Sequence, residues 1–148
     1  MRISAKTRYG ISAMICLARN YNAAECTTVV SLSESLKISK IYLEQVFSLL
    51  KRAGLVISTK GAQGGYHLSR PPKDISVYDI FTAVEMSLIE KAKDTVSESN
   101  KAIETAMQVL IFDRLDETIT VLLSEITLDA LMTEVEKQNS SENYMYYL

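Results

Sequence analysis

Cations gathered in one half of the chain are the side chains with the clearest chemical purpose. Of the 16 Lys and Arg residues in this 148-residue sequence, 11 fall in residues 1–73 beside 3 Asp and Glu, a local net charge of +8. Residues 74–148 carry 5 against 15, a net of -10, so the overall charge of -2 hides a strong polarity. A basic half attracts a polyanion and an acidic half repels it, which lets a protein approach nucleic acid by one end only. Lys6, Arg8, Lys51, Arg52 and Lys60 are spread along the basic half, as phosphate contacts would be. The other reactive groups offer less. Cys16 and Cys26 are the only cysteines and form neither a CxxC pair nor a disulfide framework. Cys16 falls in an apolar helical run and reads as a small core residue, while Cys26 lies in a polar connection. His67 is the single histidine and reads as an exposed strand residue, with no catalytic or metal role. No paired carboxylates, nucleophile with a histidine partner or phosphate cradle stands out, so an enzyme is not expected. The glycine run at 61–65 lacks the Lys-Ser/Thr that would make it a P-loop.

Short elements must position these cations. Apolar residues at three- and four-residue spacing predict a first helix over 5–21. A polar connection follows, and Thr28 is placed to cap a second helix over 29–36. After a tight turn at Lys37-Ile38, Ser39 is placed to cap a third helix over 40–53, closed by Gly54. Leu43, Val46, Phe47 and Leu50 make its buried stripe at i, i+3, i+4 and i+7. A hairpin follows, with strands at 55–58 and 66–68 and a glycine-rich turn at 60–65. Ser76 is placed to cap a fourth helix over 77–86, and 87–99 reads as a polar loop. A long helix is expected over 100–124, and Thr127 is placed to cap a last one over 128–138 before an aromatic tail, Tyr144-Met145-Tyr146-Tyr147-Leu148.

Two short helices joined by a tight turn, then a two-stranded hairpin, are the plan of a winged helix-turn-helix. The fold class is therefore mainly α with a small β-hairpin: a winged helix-turn-helix plus a long dimerisation helix. The third helix has the width of the major groove, and its first turn offers backbone N–H groups to phosphate. The glycines of the hairpin tip let backbone lie close to a duplex. The expected division is a DNA-binding domain at 1–86 and dimerisation helices with the tail at 87–148. Along the long helix Ile103, Met107, Leu110, Ile111, Leu115, Ile119 and Leu122 present more apolar surface than one chain can bury. They are the expected contact with a second copy, in a two-fold homodimer with a roughly palindromic operator. No apolar run is long enough to span a membrane, and Met1–Lys6 lacks the apolar stretch of a signal peptide, so a cytoplasmic protein is expected.

Four segments carry a more specific likeness: ISAKTRYG at residues 3–10, YLEQ at 42–45, AGLV at 53–56 and KGAQGGY at 60–66. Their order and spacing resemble the Rrf2 family of bacterial transcription regulators over roughly residues 1–86, and the long helix looks like that family's dimerisation helix. The resemblance implies a sequence-specific DNA-binding repressor whose YLEQ helix enters the major groove while the wing reaches the neighbouring minor groove. It assigns Glu44 to a base, since a carboxylate accepts from the cytosine N4 amine; the competing role is a salt bridge to Lys40 or Lys51. Ser39, Lys40 and Gln45 meet phosphates or base edges, and Tyr42 either meets a phosphate or packs on the first helix. In the wing, Lys60, Gly61, Gln63 and Gly64 are the candidates. This chain departs from the family pattern at Ile41, an apolar residue suited to a thymine methyl, and at Lys60, where Arg is common. The family's redox branch holds an iron–sulfur cluster on three cysteines in the loop before the long helix. Residues 86–100 contain none here, and Glu90, Asp94 and Glu98 are poor substitutes for thiolates. The likeness is thus to the cluster-free branch, similar to a cysteine-metabolism repressor, with no cofactor and with a metabolic partner enzyme as the possible source of signal. The rival class is a winged-helix protein-interaction module that senses through such an enzyme and binds DNA weakly.

Overall fold

The computed structural model describes residues 3–88 and 90–146. Helix α1 (Ala5–Arg19) lies in the middle of the basic half and touches α2 (Val29–Leu36), α3 (Lys40–Arg52), α4 (Val77–Val84) and α7 (Leu128–Tyr146). It starts where Ser4 accepts from the Thr7 N–H as N-cap, and it ends at Arg19, short of the expected 21, where a 3-10 turn (Tyr21–Ala23) takes over. Thr28 caps α2 as expected, accepting from Ser31 N–H. Leu43, Val46, Phe47 and Leu50 of α3 are all fully buried, joined by Met14 and Leu17 of α1, Leu32 of α2 and Ile80 of α4.

The turn between α2 and α3 has no glycine. Lys37 takes the left-handed conformation there, with φ 56° and ψ 40°. For a residue with a Cβ this costs on the order of 1 kcal/mol. The Ser33 hydroxyl offsets part of that by donating to the Ile38 carbonyl across the turn at 2.7 Å. Ser39 occupies the N-cap position of α3, but its side chain makes no capping bond. That expectation is corrected, and the hydroxyl stays exposed at the helix start.

The hairpin pairs β1 (Val56–Thr59) with β2 (Gly65–Leu68) antiparallel, Val56 opposite Leu68 and Thr59 opposite Gly65; β1 lies one residue later than expected, and β2 starts one residue earlier and ends at 68 as expected. Its base is pinned twice. Thr27 and Tyr66 exchange both backbone hydrogen bonds, at 2.8 and 2.9 Å. The Tyr66 ring stacks on Phe47 with centroids 4.4 Å apart. Gly65 is required at this junction: its φ is 142°, and a Cβ would sit 2.6 Å from the Thr27 carbonyl oxygen.

Helix α4 begins with a full capping box between Ser76 and Asp79 and ends at Val84, two residues early, followed by a 3-10 turn (Met86–Leu88). The long helix is interrupted by a change of winding. Helix α5 (Lys101–Met107) passes into a π-helical turn (Gln108–Phe112) and then α6 (Asp113–Glu125). The Gln108 amide donates to the Asp113 carboxylate across that turn at 2.6 Å. Ile119 and Leu123 of α6 line a small cavity together with Tyr78 and Phe81 of α4. Helix α7 continues to Tyr146, well beyond the expected 138, and so takes up Tyr144 and Met145 of the predicted tail; Tyr147 and Leu148 lie outside the described residues. Its first turn joins the core of the basic half: Leu128 is fully buried, and its N–H donates to the Ile75 carbonyl at 2.8 Å. No helix among the described residues is long and apolar enough to cross a membrane.

Candidate nucleic-acid interface

Burying the Leu43–Val46–Phe47–Leu50 stripe turns the opposite side of α3 outward. Ser39, Lys40, Ile41, Tyr42, Glu44, Gln45 and Ser48 are all exposed, and Lys51 and Arg52 are exposed in the last turn. Ile41, Glu44, Gln45, Ser48 and Lys6 line one shallow depression with Leu49, so the start of α1 contributes a cation beside the outer face of α3. Ser48 faces outward by the periodicity of α3 but is not among the candidate contacts, because it lies beyond the YLEQ segment; it falls on the same face as Glu44, four residues on. Arg8 is exposed on α1. Lys60, Gly61 and Gln63 are exposed at the wing tip, and Gly64 is half-buried.

The competing roles left open by the sequence now have geometry. Glu44 forms an exposed ion pair with Lys40 one turn away, at 3.7 Å. Such a pair is worth little in water, so it leaves Glu44 free to exchange Lys40 for another donor. The Tyr42 ring meets Tyr9 of α1 edge-on, with centroids 6.1 Å apart, while half its surface stays in solvent. Tyr42 thus packs on the first helix and still presents one edge outward. The glycines divide by purpose. Gly64 and Gly65 are demanded by the wing itself, since a Cβ at Gly64 would lie 2.3 Å from the Thr59 carbonyl oxygen. Gly61 has open space around it and a φ of 107°, which leaves bare backbone at the tip.

Cys16 and Cys26 are both free thiols. Cys16 is half-buried, and burial pushes its thiol up while Arg19 pulls it partly back. Burial therefore favours the thiol over the thiolate there. Cys26 lies at the root of the wing, its Sγ 3.9 Å from Nδ1 of His67. His67 is half-buried there rather than exposed as expected.

The along-helix apolar residues sort into two sets. Ile119 and Met107 are half-buried within the chain. Ile103, Leu110, Ile111, Leu115 and Leu122 are exposed, and so are Val109, Phe112 and Val121, which the periodicity did not single out. Residues 109–112 fall in the π turn and are all in solvent, as are residues 113–118 of α6, so this stretch is bare on every side within one chain.

Comparison with known proteins agrees with this architecture. The family model described as "Rrf2: Iron-dependent Transcriptional regulator" matches residues 3–134. The HTH-type transcriptional regulator CymR of Bacillus subtilis is 33% identical over 150 residues, covering 100% of both chains. The HTH-type transcriptional regulator IscR of Erwinia tasmaniensis is 34% identical over 148 residues, covering 96% of this chain and 88% of that one. Among solved structures, CymR of B. subtilis, described as its global cysteine regulator, superposes with a TM-score of 0.74 at 31% identity, covering 90% of this chain and 98% of that one. IscR of T. potens gives 0.72 at 32%, covering 99% and 97%. The iron named in the family description meets an unsuitable set of donors here. The loop before α5 has no cysteine, and among the described residues no three His, Cys, Asp or Glu side chains gather as a metal would require. The outward face of α3, the wing beside it and the full-length match together place the chain: it belongs to the Rrf2 family of transcriptional regulators.

Proposed function

We propose that this DNA-binding regulator works as a two-fold dimer on a roughly palindromic operator and represses by occupying it. The observation that carries the reading is a single exposed face. Lys40, Ile41, Glu44, Gln45 and Ser48 of α3 lie together, Lys6 stands beside them, and the wing is held to the same helix through Phe47 and Tyr66. On this reading α3 lies in the major groove, Lys40 and Gln45 with Ser39 fix its register on phosphate and base edges, and Glu44 accepts from a cytosine amine. Lys60 and the bare backbone of Gly61 approach the minor groove next to it. The acidic α5–α6 region stays away from the duplex, where its exposed apolar residues pair with a second copy and set the half-site spacing. A regulator acting on the chromosome works in the cytoplasm. The finer reading of sensing, through a metabolic partner enzyme, rests on the end of α7, where Tyr144, Met145 and Tyr146 stand almost wholly in solvent.

Selection of bound fragments from the source genome, followed by titration of one recovered duplex at two salt concentrations, tests the reading. Affinity is expected to fall by about a thousandfold between roughly 50 and 200 mM salt, as release of counterions from several phosphates requires. A chain that recovers no fragments and binds no duplex at low salt is a protein-docking winged helix instead.

A further inference from the structure

The carboxylate of Glu85 sits in an unfavourable place for its own helix. It follows the last turn of α4, where the carbonyl end of the helix dipole repels negative charge. Its surroundings explain why it is there. Oε2 accepts hydrogen bonds from two hydroxyls at the start of α1: from Ser4, the N-cap residue, and from Thr7 at 2.7 Å. The Ser4 oxygen in turn accepts from the Thr7 N–H at 3.2 Å. Oε1 accepts from Ser87 at 3.1 Å, in the turn that leads away toward the long helix. Thr7 is fully buried, so its hydroxyl has no water to exchange for the carboxylate. One side chain therefore ties together the end of α4, the start of α1 and the first residues of the connection to the acidic half.

The other end of the lever is Lys6, between Ser4 and Thr7, which lines the depression on the outer face of α3. Its backbone is fixed on both sides by bonds that converge on Glu85. Farther along α1, Gly10 holds the helix against its neighbours, since a Cβ there would lie 3.3 Å from Val84 and 3.5 Å from Val46. Gly10 sets how close α1 lies to α3 and α4, and Glu85 sets where its first turn points.

We propose that Glu85 is a positioning residue for DNA binding, which holds the first turn of α1 so that the Lys6 ammonium meets a phosphate beside the groove occupied by α3. The inference rests on the DNA-binding reading above. Because Ser87 shares the same carboxylate, the connection to the long helix leaves from the residue that orients this contact.

The test uses the full chain and a fluorescent mixed-sequence duplex long enough for two half-sites, with affinity measured across a salt series. The wild type, Lys6→Ala, Glu85→Ala, the double variant, and Lys60→Ala with and without Glu85→Ala are compared. Each lost phosphate contact lowers the salt slope by about one and the affinity roughly eightfold near 0.1 M salt, so a dimer that loses one per protomer loses about two in slope. Glu85→Ala is expected to reproduce the loss of Lys6→Ala, the two together to lose little more, and Lys60→Ala to add in full. Glu85→Gln keeps an oxygen for both hydroxyls and is expected to retain the wild-type slope. Should Glu85→Ala fail to fold, Ser4→Ala takes its place in the same cycle with Lys6. A wild-type slope in Glu85→Ala or Ser4→Ala, or losses that simply add to those of Lys6→Ala, overturns the proposal while leaving DNA binding in place. A wild type that shows no salt-dependent binding removes the DNA reading itself.

Discussion

Helix α3 and the α5–α6 helix have comparable apolar content but opposite fates. On α3 the four apolar residues of the stripe are fully buried, and a mostly polar face that also carries Ile41 and Tyr42 is what solvent sees. On α5–α6 the apolar residues are what solvent sees, while acidic residues such as Asp113 and Asp116 surround them. One helix is complete within its chain and offers a finished surface to a partner of another chemistry. The other leaves its leucines and isoleucines exposed within one chain, and on the proposed reading they meet a second copy. The same hydrophobic effect gives stability in the first case and, on the proposed reading, drives assembly in the second.

The sharpest way to break that contrast is to damage each helix in turn. Phe47→Ala removes a fully buried ring and its stack on Tyr66, and urea denaturation should show a loss of about 3–5 kcal/mol. Leu110→Glu, at a residue about two-thirds exposed, should leave the far-ultraviolet circular dichroism intact but convert the dimer to a monomer in sedimentation. It should also remove the dependence of unfolding on protein concentration that a dimer shows. The contrast fails if Leu110→Glu unfolds the chain as Phe47→Ala does, or if it sediments as the wild type.

Much of the α3 side of this comparison was legible in the sequence, and the physical reason is locality. The buried stripe, the Thr28 cap and the glycine after α3 are signals carried within a few residues. Where the determinant is distant, the sequence was silent. The stack of Phe47 on Tyr66, the backbone exchange between Thr27 and Tyr66, and the Glu85 bonds to residues 78 and 81 positions away have no local mark. The turn at Lys37-Ile38 is legible, but the left-handed conformation of Lys37 is not, because no glycine announces it. The π turn was hidden because no Gly or Pro breaks the run from 101 to 125. Helix α7 ran past its expected end because residues 139–143 look like a turn by composition. There Ser140 and Ser141 turn their hydroxyls back onto the carbonyls four residues earlier, at 2.9 and 3.1 Å, and the helix continues.

Within the outward face of α3 and the wing, a second contrast separates reading from holding. Glu44→Ala should cost about 1–3 kcal/mol on the selected operator and much less on random duplex, because a base contact is lost. Lys60→Ala should weaken both by similar factors, because a phosphate contact carries no sequence information. Competition titrations with the two duplexes measure the split. Equal losses on both duplexes for both variants would falsify the assignment of Glu44 to a base and return it to its ion pair with Lys40.

The smallest effect expected is a dependence of stability on pH at the junction between the two halves. The hydroxyls of Ser4 and then Thr7 donate to the ionised Glu85 and hold its carboxyl below the ordinary value of 4.5, against a smaller opposing push from burial. The folded value is depressed, so the bonds contribute fully above 4.5 and are lost as pH falls through the folded value. Glu85→Gln does not titrate at this site. The stability difference between wild type and Glu85→Gln, read from urea midpoints, should be constant from about pH 7 to 5.5 and should then shift against the wild type in more acidic solution. A difference that stays flat down to about pH 3 would mean the carboxylate gains nothing from the two hydroxyls in the folded chain. The start of α1 would then be held by Gly10 and the core alone, and the contrast between the finished and unfinished halves would have no charged hinge between them.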